Sequence, residues 1–519
     1  MATAHLLRSI LQSAFAPALI FLVVAGAVRL FRLNRYRVPW AALSAVITGI
    51  VAMIGTAYLF LPVLLEDAET DIACVSALAM RGLPVYPAMD AAQRYILLYG
   101  PLTYLAHIPF YLLFGETLFA FKLLGCGALL LSLFGLYRIC REYATPRASL
   151  IGLGCAALVF FRYIGVEFWG RIDPLIIVLI VVSIWATGKG PLWAAILVDG
   201  FVFAAVPDLK ISGFAYLLPV FALLLFRRGW RPAAAAAALG AILFPLPFLL
   251  PMVSLSNYVT ILKAAAGHGL VLNFLIRNVQ YSALLLLPVL AALSVRKTRE
   301  AAQLIYLASI VTGLLMTCVL GSKSGAGSYH LLPYIAPLLH LYFWTRSEMA
   351  PGDADRAFAQ FAIAWAVTTL FLSSTHLQSV IHEYRAAPLG WKAVADVQRA
   401  EDLYRGRTIE VGVGADFEDP RTRYGYLTTF AGQPYTVSGA AIRDLQAGGI
   451  PIPEATVKYV ESCGAAVWLI PKGDAPFTAL NSYYETPHPA FEPQFQQAFT
   501  SHYRRAESGE QFDAWVCKQ

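Results

Sequence analysis

Long apolar runs separated by short basic connections dominate the first three-quarters of the chain. Apolar segments lie at about 13–31, 42–65, 117–138, 148–161, 174–188, 191–206, 211–227, 233–252, 279–295, 301–320, 330–345 and 357–374. A helix needs roughly 20 apolar residues to cross a bilayer, and tilt or local thinning accommodates the shorter runs. The pattern predicts an α-helical polytopic membrane protein of about 12 spanning helices. A further run at 99–114 is short and opens on Tyr99-Gly100-Pro101, which reads as an interfacial or re-entrant helix. After residue 374 the pattern changes. Residues 408–414 read as a strand and turn, 465–470 as a buried strand and 512–517 as a last strand, with helical stretches between them. This is the signature of a small α/β domain. The expected organisation is a transmembrane domain over 1–375, with an outer loop at 66–116, followed by an extracytoplasmic α/β domain over 376–519.

Composition agrees with lipid as part of the solvent. Hydrophobic residues make up 58% of the 519 and charged residues 14%, against about 25% charge in an ordinary soluble domain; the mean hydropathy is +0.62. The net charge of +7 is not a nucleic-acid signature, because no basic stripe interleaved with aromatics occurs. Residues 1–373 hold 26 of the 39 Lys+Arg against 15 of the 32 Asp+Glu, and 16 of those cations fall in the connections at 29–38, 138–147, 188–190, 227–231, 296–300 and 346–356. These connections alternate along the chain if 99–114 does not cross, which places them inside and places both chain ends and the 66–116 loop outside. The expected location is a bacterial inner membrane, multi-pass. The first apolar run is followed by Arg29, Arg32, Arg35 and Arg37 with no small-residue cleavage site, so it reads as a retained helix rather than a signal peptide. Cys126, Cys140, Cys155 and Cys318 lie in apolar runs as core residues. Cys463 and Cys517 fall in the C-terminal domain, where an oxidising compartment permits a disulfide or leaves two thiols.

Candidate chemistry gathers in the outer loops. The first opens with Glu66-Asp67-Ala68-Glu69-Thr70-Asp71. Four acids in six residues read either as a solvated cap at the membrane surface or as the source of a general base, whose carboxylate must reach an acceptor hydroxyl. Glu66 and Asp71 are also candidate ligands for a divalent cation, although no cofactor is required by the pattern. The loop continues Arg81-Gly-Leu-Pro-Val-Tyr-Pro87 and then Tyr99-Gly-Pro-Leu102. A glycine-rich loop, Gly321-Ser-Lys-Ser-Gly-Ala-Gly-Ser-Tyr-His-Leu-Leu-Pro333, enters a late helix. Lys323 and flexible backbone N–H groups there suit a phosphate, with His330 as a further donor or a simple helix cap; a plain turn is the alternative. Arg171-Ile-Asp173 and Asp208-Leu-Lys210 each adjoin an apolar run, and Arg277 and His268 lie in the 253–278 loop. Arg171 and Asp173 form either a salt bridge or a phosphate contact. Asp199, inside an apolar run, reads as a hydrogen-bonded helix–helix contact. Gly412-x-Gly414 lacks the third glycine of a dinucleotide site and reads as turn glycines.

The acidic residue after a membrane helix, the Gly-x-Pro-x-Tyr step at Gly82–Tyr86, the Tyr99-Gly-Pro-Leu helix start and the Phe114-Gly-Glu corner together resemble the GT-C superfamily, in its protein O-mannosyltransferase and aminoarabinose-transferase branch. The likeness extends over most of 60–375 as an arrangement, although Ala68 interrupts the adjacent Asp-Glu of the family pattern. The resemblance implies an inverting glycosyltransferase acting at the outer face of the membrane. Its donor would be a polyprenyl-phosphate sugar and its acceptor hydroxyl would belong to a lipid, glycan or protein. Glu69, 13 residues before Gly82, would be the base, with Asp67 as its rival. Lys323, His330, Arg171, Asp173, Tyr99 and Lys210 would bind substrate. The competing readings are a transporter or flippase of a lipid-linked intermediate, for which inverted repeats are expected and none is evident, and a non-catalytic membrane assembly protein.

Overall fold

A computed structural model describes residues 13, 15–30, 39–162, 170–295, 300–349, 353–484 and 488–518; the side chains at 29–30, 295, 353–361, 374–384 and 386–387 are left out of the description. Each apolar segment identified above contains a helix among the described residues, though 42–65 and 233–252 extend past theirs. Seven described helices are long and apolar enough to cross a membrane: Trp40–Phe60, Leu118–Arg141, Leu192–Leu209, Ile211–Arg228, Trp230–Leu249, Leu272–Ser294 and Ala301–Leu320. Shorter apolar helices occupy Ala16–Val28, Pro101–Phe114, Pro146–Phe161 and Ala362–Ser373. The protein is a multi-pass membrane protein. Its chain divides into two compact units, one of 1–58, 125–244 and 270–381, the other of 59–124, 245–269 and 382–519.

The first unit is a helical bundle whose large apolar side chains face outward as well as inward. Leu131, Phe134, Trp193 and Phe201 are all more than half exposed, as expected where lipid replaces water. Without a hydrophobic force between helices in lipid, close backbone approach does the packing. A Cβ at Gly200 would fall 2.6 Å from Leu239 and one at Gly240 2.7 Å from Phe203, so small residues let Leu192–Leu209 and Trp230–Leu243 meet. Asp199, fully buried, accepts from the Ser183 hydroxyl and, at 2.7 Å, from Thr187 Oγ1. It therefore joins Asp173–Lys189 to Leu192–Leu209 across the bundle.

Four of the basic connections meet at one end of this unit. Arg227 donates to the Tyr143 hydroxyl at 2.8 Å and lies over Trp344. Its neighbour Arg228 reaches the carbonyls of Thr187 and Gly190, and Tyr143 in turn contacts His340 Nε2 at 3.1 Å. Residues from 138–147, 188–190 and 227–231 are thus tied to one another and to the end of Ile335–Ser347, which leads into 346–356. The basic side chains of 29–37 and 296–299 lie outside the described residues.

In the second unit the helix Asp67–Met80 is buried along nearly its whole length. The α/β part holds strands β1 (Ile409–Val411), β2 (Val467–Pro471), β3 (Leu480–Asn481), β4 (His488–Pro489), β5 (Tyr503–Ser508) and β6 (Phe512–Cys517). The main sheet has the order β1-β2-β6-β5, parallel between β1 and β2 and antiparallel elsewhere. Its core is aromatic, with Trp468, Phe477, Phe491, Phe495 and Phe499 fully buried. Cys463 and Cys517 are joined as a disulfide. Gly412 packs closely: a Cβ there would sit 2.6 Å from Ile470.

Two sequence expectations change. The 253–278 segment is not a loop: a helix runs over Leu255–Gly267, started by Ser254 accepting from Asn257 N–H, and Leu272–Val295 already contains Arg277. The first of these helices is amphipathic rather than apolar, so a search for membrane-length hydrophobic runs passes over it. The last apolar helix continues to Leu403, because Ala, Arg, Glu and Lys sustain a helix beyond the apolar stretch.

Asp199→Ala is expected to destabilise the bundle by about 1–2 kcal/mol, two interhelical hydrogen bonds in an apolar setting. Thermal unfolding of detergent-purified protein measures it.

Candidate functional site

The acidic run starts a helix, and each acid has a different role there. Glu66 is the N-cap and Glu69 the third helical residue; Glu69 Oε2 accepts the N–H groups of Leu65 at 2.6 Å and Glu66 at 3.2 Å. These are donors that a helix start otherwise leaves unsatisfied, and the arrangement is a capping box. Asp67 accepts from Arg423 Nε at 3.1 Å, and the Thr70 hydroxyl donates to the Arg423 carbonyl at 2.8 Å. Asp71 takes the Tyr435 hydroxyl on Oδ1 and the Ser438 hydroxyl, at 2.8 Å, on Oδ2. The Ser438 oxygen also accepts Ala441 N–H at 3.1 Å, capping Gly439–Ala447. A small pocket lined by Asp67, Asp71, Gly412, Phe417, Tyr435 and Ser438 lies among these groups.

Burial raises the Asp71 carboxyl to about 8, against the opposing pull of its bonds to Tyr435 and Ser438. Burial also raises Asp67, with the Arg423 charge opposing it. The run Tyr99 to Pro101 begins a short helix; the Tyr99 ring is buried and its carbonyl accepts from the Tyr86 hydroxyl at 2.9 Å. His268 Nε2 lies 2.8 Å from the Asp444 carbonyl, a bond within the same unit that accounts for its burial.

In the first unit, candidates from three distant segments converge on one ring. Arg171 donates to the Tyr329 hydroxyl at 3.1 Å with its guanidinium carbon 4.7 Å from the ring centroid. Lys210 Nζ lies 5.3 Å from the same centroid and 3.3 Å from His330 Nε2. All four side chains are buried. Two cations thus share one aromatic face, beside an imidazole. Asp173 begins its helix nearby in sequence; it is buried, and its two carboxylate oxygens have no hydrogen-bond partner among the described residues. Lys323 is half-buried on the loop before the 3-10 helix Ser328–Tyr334, with its backbone bridged to Leu270.

Sequence reading did not find Tyr329, Arg423, Tyr435 or Ser438. The last three lie more than 350 residues from the acids they hold, and nothing local marks them. Tyr329 stood inside the glycine-rich motif, beside His330, and its aromatic face was the available signal.

Between the ordinary carboxylate value and about 8, the folded protein keeps a proton on Asp71 that the unfolded chain releases. This group's contribution to stability is full below the unfolded pKa and is lost as pH rises toward 8. Asp71→Asn has no such proton, so its stability relative to wild type is expected to rise between pH 5 and pH 8. Parallel thermal unfolding at the two values checks the sign.

No protein-family model matches the sequence, and no curated protein is significantly similar to it. The fold is more informative. ArnT from Cupriavidus metallidurans bound to undecaprenyl phosphate aligns with a TM-score of 0.57 at 13% identity, over 93% of this chain and 98% of that one. The apo state of the same protein aligns with a TM-score of 0.53 at 12% identity, over 91% and 97%. Arabinosyltransferase EmbB from Mycobacterium smegmatis gives 0.44 at 13% identity, over 80% of this chain and 46% of that one, too loose to establish a shared fold. The ArnT likeness runs through both chains almost end to end, and it shows that this chain has the fold of ArnT.

Proposed function

We propose that the protein is a GT-C-type glycosyltransferase that moves a sugar from a polyprenyl-phosphate donor to an acceptor hydroxyl at the outer face of a bacterial inner membrane, with inversion at the anomeric carbon. The observation that carries this reading is the cluster of Arg171 and Lys210 on Tyr329, buried in an ArnT-like bundle. ArnT binds undecaprenyl phosphate, and a buried pair of cations is where a donor's phosphate gains most, since water there does not screen the attraction. His330 stands beside Lys210, Asp173 begins the helix that follows Arg171, and Lys323 of the preceding loop is a further candidate for the phosphate.

A carboxylate of the Asp67–Met80 helix start removes the acceptor proton. The acceptor oxygen attacks the anomeric carbon, the bond from that carbon to the phosphate oxygen breaks, and the polyprenyl phosphate leaves with the electron pair of that bond. Asp71 is unsuited to be the base, because at neutral pH it is largely protonated. Glu69 is the preferred base and Asp67 its rival. A divalent cation held by Glu66 and Asp71 fits poorly, since both Asp71 oxygens already accept hydroxyls, and no group of three His, Cys, Asp or Glu comes together among the described residues; no step is routed through a metal.

Glu69→Gln separates capping from catalysis, because an amide oxygen still accepts the Leu65 and Glu66 N–H groups. Turnover of a polyprenyl-phosphate sugar panel by the purified variant is expected to fall about 10²–10⁴-fold with little change in thermal stability, while Asp71→Asn retains much of its activity. Loss in Asp67→Asn with activity kept in Glu69→Gln would move the base by two residues. Full activity in all the single amide variants, or no turnover by wild type with any donor, would reject the reading.

The side of the membrane is tested separately. The gathering of four basic connections at one end of the bundle supports an inside location for them. Topology reporters fused after Arg231 and after Leu403 are expected to report opposite faces, the second extracytoplasmic; reporters on one face would overturn the assignment.

A further inference from the structure

A cavity in the first unit lies among Pro146–Phe161, Leu272–Val295, Ile335–Ser347 and the Ala362–Trp365 stretch. It has a volume of about 450 Å³ and walls of side chains such as Ala156, Val289, Leu338 and Phe343. Tyr143, Thr145, Arg346 and Ser347 line one end of it. This is the end at which the basic connections meet, with Arg227 fixed on Tyr143 and Trp344.

We propose that this cavity takes one acyl chain of an anionic glycerophospholipid, with the headgroup phosphate against Arg346. Length, charge and closure each point to that occupant. From Arg346 back to Ile335 the lining helix descends eleven residues, about 16 Å at 1.5 Å per residue, and half of a hydrocarbon core is about 15 Å. The cavity is therefore as deep as one leaflet. A cation at the mouth, among basic connections, matches the anionic lipids that enrich the cytoplasmic leaflet. Past Val159 and Leu285 the space narrows to a cavity of about 20 Å³, where Arg162 donates to the Tyr281 hydroxyl at 3.0 Å. The proposed occupant is a lipid distinct from the donor's carrier, and the proposal holds whether or not the protein transfers sugar.

Cys155 supplies the readout. It lines the cavity and is partly exposed, whereas the other four free cysteines are buried. In detergent, phosphatidylglycerol is expected to slow maleimide labelling of Cys155 in the full-length protein, and phosphatidylcholine to slow it much less. Arg346→Gln should weaken the phosphatidylglycerol effect about tenfold or more in concentration, the loss expected for one charge-assisted contact. Native mass spectrometry of wild type should retain one phosphatidylglycerol in preference to phosphatidylcholine, which keeps the proposal testable if the variant does not fold. Equal protection by both lipids would mean bulk lipid only. Protection by undecaprenyl phosphate alone would mean that a carrier tail fills the cavity. Either result overturns the proposal.

Discussion

Moving a charge into hydrocarbon is expensive, and the arrangement of this protein follows from where its charges are allowed to stay. In the helical unit nearly every ionisable group ends at a helix terminus or on a partner. Asp199 is held by Ser183 and Thr187, Arg227 by Tyr143 and Trp344, and Arg228 by backbone carbonyls of Thr187 and Gly190. Arg171 and Lys210 meet instead on a tyrosine face.

The second unit meets the same constraint with a different chemistry. Three of the acids at its helix start are taken up by partners: Glu69 caps the backbone, Asp67 meets Arg423, and Asp71 meets two hydroxyls. The α/β part thereby fixes the orientation of the acidic helix through Arg423, Tyr435 and Ser438. A carboxylate beside a cation and one among hydroxyls titrate differently, so one short sequence yields acids of separate character.

Much of this was written in the chain. Apolar periods and lengths specify helices at all twelve segments, because a chain with 14% charged residues has no other way to cover itself. Basic connections specify which helix ends belong together, and the contacts among Tyr143, Arg227, Arg228 and Gly190 follow that grouping. The strands at 408–414, 465–470 and 512–517 were legible from apolar, β-branched runs. β5 was not, since the sequence Tyr-Arg-Arg-Ala-Glu-Ser alternates poorly and becomes a strand by pairing with β6.

What sequence could not specify is which distant residues meet. Local spacing named the acidic turn and the glycine-rich loop, because those signals reside in a few consecutive residues. It could not name Arg423, Tyr435 or Ser438 as the partners of Asp67 and Asp71, nor Tyr329 as the platform shared by Arg171 and Lys210. Those pairings span from 119 positions, between Lys210 and Tyr329, to 367, between Asp71 and Ser438. They are decided by how whole helices and the sheet pack, and pKa follows packing: the same aspartate side chain has an ordinary acidity in water and stands at about 8 at position 71 once burial removes that water. The sequence determined the helices, their ends and the inventory of chemistry, whereas tertiary packing decided which acids are spent on structure and which cations share a site.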